Sequence, residues 1–316
     1  MTSNTPAAAR RSLNPLTRLS LLSEGRWWAY ALIVPSLILI LAVLIYPVGS
    51  GILLSFREMR LTRPDLGTGF IGLRHYVELL SDPIFRRAAI NTVSWVVAGT
   101  STQLVLGLVT ALALNRALHR ALPGMRVARI LVLLPWVLPS VVAGHMWALM
   151  FDSRLGVIND LLVRLGVLTE YHAFFSDAAT ALPAVLVVSL WGSFPFFTLF
   201  FLAGLQGIPD EQYESASVDG ANLWLQFRHI TLPLLMPIMV ATVVLRVIGL
   251  VNAPDLLIVL TGGGPGNSTQ VLSLYAFQKA YAEFDFGYAA ALSVVMLLLL
   301  MVFTVVYVRV SGVMKE

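Results

Sequence analysis

The chain has 316 residues, 58% of them hydrophobic and only 12% charged, which excludes the soluble globular class and fits a polytopic membrane protein. It contains no cysteine, which rules out disulfides, thiolate metal sites and a cysteine nucleophile. The formal net charge of +4 gathers at membrane-flanking positions, with no nucleic-acid motif beside it, and reads as an orientation signal and not a nucleic-acid footprint.

Residues 1–27 hold Arg10, Arg11, Arg18 and Arg26 among Ser, Thr, Ala and Pro. The apolar run that follows is too long for a signal-peptide core, so a short cytoplasmic tail is expected. The fold class expected beyond it is all-α. Crossing a ~30 Å hydrocarbon core takes about 20 apolar residues, and six segments are long enough. They run over residues 28–56, 88–115, 130–151, 178–208, 230–254 and 286–308. Prolines at 35, 47, 135, 139, 183 and 195 are tolerable there, because neighbouring helices satisfy the freed carbonyls.

Arg116, Arg120, Arg126 and Arg129, with no acid among them, place the link between the second and third spans in the cytoplasm together with the tail. An even number of spans then puts both termini on that side. The link 57–87 disagrees with six arginines of its own, but it also carries Glu58, Asp65, Glu78 and Asp82 and is long enough to fold. Between the fourth and fifth spans, residues 209–229 read as a cytoplasmic helical elbow. Pro209 followed by Asp210 and Glu211 suits a helix N-terminus, where orphan N–H groups favour carboxylates. Asp219-Gly220 breaks that helix, and Asn222 is placed to cap the next run, Leu223 to Ile230. The segment LTGGGPGNST from Leu260 has no lysine after its last glycine, so it reads as a turn and not a phosphate cradle.

Glu214-Ser215-Ala216, three residues, Gly220-Ala221, and then Ile230, Leu232 and Pro233 resemble the EAA loop of ABC-importer permease subunits, with Ser215 where a second alanine is usual. The runs LPWVLPSVVAGHMWALMFDSRLGVIND, WGSFPFF, LTGGGPGNST and AYAEFDFGYAAALSV are similar to the carbohydrate-uptake branch, the maltose and glycerol-phosphate type. The likeness covers roughly residues 30–310. It implies a permease subunit of an ATP-driven sugar importer in the cytoplasmic membrane, and not an enzyme. It also implies a second homologous permease, two ATPase subunits that bind ATP and Mg, and an extracytoplasmic sugar-binding protein. Glu214, Ser215, Ala216, Asp219, Gly220 and Ala221 would form the ATPase-coupling segment. The cargo stays open among mono-, di- and oligosaccharides, polyols and glycerol phosphate.

Arg246 is the sole formally charged residue inside any expected span. An unpaired cation at mid-bilayer costs about 2.5–3.5 kcal/mol, so it should face protein or a water-filled path. Sugars are held by flat aromatic faces and a few polar donors, and Trp191, Phe194, Phe197, Arg246 and Asn252 are the expected substrate-path residues. Aromatic residues in a membrane helix are more often packing or lipid contact, and Arg246 could equally be a structural hydrogen bonder. His145 has no second ligand at helical spacing and reads as a hydrogen-bonded interior histidine, so no metal site is expected. The alternative of an ion-coupled secondary transporter is disfavoured by the lack of an intramembrane carboxylate.

Overall fold

In a computed structural model, the described residues are 26–312 without 64, 66, 120 and 121. The expected tail up to residue 25, and Arg120, lie outside them. Among the described residues, five helices are long and apolar enough to cross a membrane, and a bent pair makes a sixth span if counted as one.

Two compact units divide the chain at Leu53–Leu54. The first contains α1 (Arg26–Ile40), a π-helical turn (Leu41–Ile45) and all but the last residue of α2 (Tyr46–Leu54), a run without a charged residue after Arg26. Its π turn closes through the Tyr46 N–H on the Leu41 carbonyl, one residue before Pro47. A proline ring collides with the carbonyl four residues back, and a widened turn draws that carbonyl aside.

The second unit is built on α4 (Pro83–His119), with α3 (Arg74–Ser81) ahead of it. Then come α5 (Met125–Val137), α6 (Ser140–Met150), α7 (Val157–Arg164), α8 (Ala181–Gln206), α9 (Asp210–Val218) and α10 (Leu223–Gln226). A second π turn (Phe227–Thr231) leads straight into α11 (Leu232–Asn252), followed by α12 (Asp255–Leu260), α13 (Leu272–Tyr281) and α14 (Phe286–Ser311). The expected second run of the elbow is thus continuous with the fifth span.

The core lies where α4 and α8 pack along each other and α11 closes over them, around Ala111, Phe197, Phe201, Leu205, Leu235 and Val247. A Cβ on Gly107 would strike Phe197, and one on Gly204 would come within 2.7 Å of Leu235 and 2.5 Å of Ile238. Lipid supplies no hydrophobic drive between helices, so contact depends on such close backbone approach. The third span is bent by 97° between α5 and α6. Leu138 is extended with ψ 132°, as the residue before Pro139 tends to be, and α6 starts afresh after Pro139. His145, expected inside, is exposed on α6 and has no hydrogen bond among the described residues.

Candidate functional site: a clamped elbow and a polar intramembrane cavity

The elbow holds its shape through a series of satisfied backbone ends. Pro209 is the extended residue before α9, and Asp210 and Glu211 fill the first turn. At the other end Gly220, with φ +81°, forms a Schellman stop. Its N–H reaches the Ser217 carbonyl at 3.1 Å, and the Ala221 N–H reaches that of Ala216 at 2.8 Å. Asn222 then caps α10, its side-chain oxygen accepting from the Leu225 N–H at 3.0 Å.

Side chains fix α9 to the base of α11. The hydroxyls of Tyr213 and Thr231 are 2.9 Å apart, and Thr231 is buried. Gln226 Nε2 donates to Ser217 Oγ at 2.9 Å and to the Ala221 carbonyl at 3.2 Å. A cavity of about 680 Å³ lies behind the elbow, lined among others by Asn115, Arg116, Tyr213, Trp224 and Phe227. Outward, Glu211, Glu214, Ser215 and Val218 are all exposed and stand at i, i+3, i+4 and i+7, one stripe of a helix. Of the expected coupling residues, Glu214 and Ser215 are on this stripe, Ala216 and Ala221 are half-buried, and Asp219 and Gly220 make the stop. Glu211 and Val218 belong to the same face, a membership already visible in their heptad spacing.

A second polar cluster sits inside the membrane-spanning bundle. Gln103 of α4 is wholly buried near the middle of the run between Arg87 and Arg116. Its Nε2 donates to Ser189 Oγ of α8 at 3.1 Å, and its Oε1 accepts from Arg246 Nε of α11 at 2.5 Å. Arg246 Nη2 also donates to Ser193 Oγ at 2.9 Å. The guanidinium thus ties three spans together and lines a cavity of about 210 Å³ with Trp95, Trp136, Ser189, Gly192, Ser193 and Asp255.

Of the five expected path residues, Arg246 alone lines this cavity. Trp191 is half-buried and packs edge-on against Trp147, ring centroids 5.5 Å apart. Phe194 is half-buried beside Gly107, and Phe197 is wholly buried between α4 and α8. Asn252 donates back to the Ile248 carbonyl of its own helix at 2.9 Å. The aromatic wall is instead Trp95 and Trp136. Counting formal charges passes over Gln103, whose amide inside an apolar helix was the available signal.

At the end of α4 opposite the elbow, Asp82 accepts from the hydroxyls of Tyr275 at 2.5 Å and Tyr288 at 2.8 Å. Burial opposes its charge, but these hydroxyls and the N–H groups of Ile84 and Phe85 outweigh it and hold Asp82 below the ordinary carboxylate value. Burial, with the facing carboxylate, pushes the Tyr275 phenol up. Asn91 of α4 donates to the carbonyls of Asn267 and Gln270, and the Thr92 hydroxyl accepts from the Leu272 N–H. The glycine-rich segment is therefore a turn seated on α4, with Thr269 and Gln270 buried.

A helical bundle with a clamped amphiphilic elbow between two spans and a charged, polar cavity among them defines the class of membrane transport subunits. Residues 103–315 match the family described as Binding-protein-dependent transport system inner membrane component, and the chain belongs to it. The trehalose/maltose transport system permease protein MalF of Thermococcus litoralis is 37% identical over 288 residues, covering 89% of this chain and 92% of that protein. The sulfoquinovosyl glycerol transport system permease protein SmoG of Agrobacterium fabrum is 38% identical over 285 residues, covering 90% of each. A chain of a bacterial ABC transporter that imports the acidic polysaccharide alginate shares the fold, with a TM-score of 0.80 at 22% identity over 95% of this chain and 100% of that one.

Proposed function

We propose that this chain is the permease subunit of an ATP-driven carbohydrate importer. It pairs with a second homologous permease, two ATPase subunits carrying ATP and Mg, and an extracytoplasmic binding protein. Both termini and the elbow lie in the cytoplasm. The observation that carries this reading is the outward stripe Glu211, Glu214, Ser215 and Val218 on a helix bonded to the root of the fifth span.

An ATPase surface gripping that stripe transmits its movement through Tyr213–Thr231 and Gln226–Ser217 to α11, which carries Arg246. ATP-driven closure would thereby rock the spans and open the cavity alternately to the two sides. The named cargoes of the relatives, trehalose and maltose or sulfoquinovosyl glycerol, support a carbohydrate cargo for this chain. Membership of a binding-protein-dependent family removes the ground for an ion-coupled carrier.

The test is purification of the complex through a tag on this chain, followed by reconstitution with binding protein. ATPase subunits are expected to accompany the chain, with turnover that rises only with loaded binding protein. Glu214→Lys is expected to insert normally yet lose sugar uptake, because it reverses the charge at the centre of the stripe. Wild-type uptake by Glu214→Lys would remove the coupling role.

A further inference from the structure

We infer that the cavity at Arg246 selects a saccharide bearing one acid group, such as a carboxylate or sulfonate, over its neutral counterpart. The inference rests on the reading that this cavity is on the substrate path. An arginine has five N–H donors in a flat fork. Bonds to Gln103 and Ser193 use two, which leaves three without a protein partner among the described residues. The same two bonds fix the orientation of the guanidinium, because Gln103 is itself held by Ser189.

No carboxylate of the described residues pairs with Arg246. Asp255, the one acid lining the cavity, is exposed in the first turn of α12. The cavity therefore holds a half-buried cation with three unpartnered donors on Nη1 and Nη2, and its lining includes the exposed Trp136 and the buried Trp95. Such a fork matches an acid group bidentately, whereas a neutral hydroxyl engages one donor at a time and leaves the charge uncompensated. Asp255 supplies an acceptor for sugar hydroxyls within the same cavity.

The experiment compares D-glucuronate with D-glucose, which differ only in a carboxylate at C6. Saturation-transfer NMR titrations use the whole permease–ATPase complex in zwitterionic nanodiscs, without binding protein. Wild type is expected to bind glucuronate about tenfold more tightly than glucose, as a charge-assisted bond exceeds a neutral one. Arg246→Gln should erase the difference, and Arg246→Lys should keep part of it, as a point charge without the fork.

Equal binding of the two sugars by wild type, or a preference that survives Arg246→Gln, overturns the inference. If equal binding comes with weakening of both sugars in Arg246→Gln, the cavity remains on the path and the acid selectivity alone falls. If neither sugar binds wild type, both readings fall. Should Arg246→Gln fail to assemble, the wild-type ratio together with Arg246→Lys decides.

Discussion

Gly220 holds φ at +81° in open space, with no heavy atom within 4 Å of where a Cβ would stand, so substitution there acts through the backbone alone. The left-handed conformation costs an L-residue roughly 1–2 kcal/mol, and the Schellman bonds to Ala216 and Ser217 depend on it. One to two kcal/mol multiplies the population of an unwound elbow by about 5–30. Gly220→Ala should therefore leave insertion and assembly unchanged while raising the ATP consumed per sugar imported. Asparagine tolerates the left-handed region, so Gly220→Asn should lie between glycine and alanine. Gly220→Val should be worse than alanine, because β-branched residues fit that region poorly. Proteoliposomes containing the full complex, with ATP hydrolysis and labelled-sugar uptake measured together, read the series directly. Wild-type stoichiometry in the valine variant, or asparagine as damaging as valine, would refute the coupling of this turn to transport.

Tyr213→Phe leaves the buried Thr231 hydroxyl without its partner, a loss of about 1–3 kcal/mol. Faster amide exchange across α9 and a lower transport-to-ATPase ratio are expected, and unchanged exchange would show that the clamp does not hold α9. Asp82 has a depressed pKa in the fold, so its contribution is fully present above the ordinary carboxylate value and is lost as pH falls through the lower folded value. Thermal melts should show stability declining over that acid window, and Tyr275→Phe should flatten the decline. A pH profile identical in the variant would remove Asp82 as its source.

The spans were legible because each is a long apolar run, and the elbow because Pro209, Gly220 and Asn222 each act through local backbone chemistry. The break at Leu138–Pro139 was not, since a proline inside an apolar run signals either a kink or an end, and packing decides between them. The cavity escaped for another reason. Its wall joins α4, α5, α8 and α11, and nothing in the order of the chain brings Trp95 and Trp136 to Arg246. Phe197 shows the converse: an aromatic cluster in one helix looks like a sugar platform, yet Gly107 facing it makes that side chain the filling of a helix contact.

The π turn at Phe227–Thr231 has a bearing on how the elbow is phased. Its closing bond, from the Leu232 N–H to the Phe227 carbonyl, spans one residue more than an α-helical bond, as the turn before Pro47 does. Each residue in an α-helix advances the face by about 100°. The extra residue therefore sets the azimuth of α10 against α11, and it is this offset that brings Gln226 to Ser217 while Thr231 meets Tyr213. Removing one residue between Phe227 and Thr231 would restore an unbroken α-helix and swing Gln226 away by that angle. The elbow's aim is thus indexed in whole residues, like a tooth on a gear, and its length is as informative as its composition.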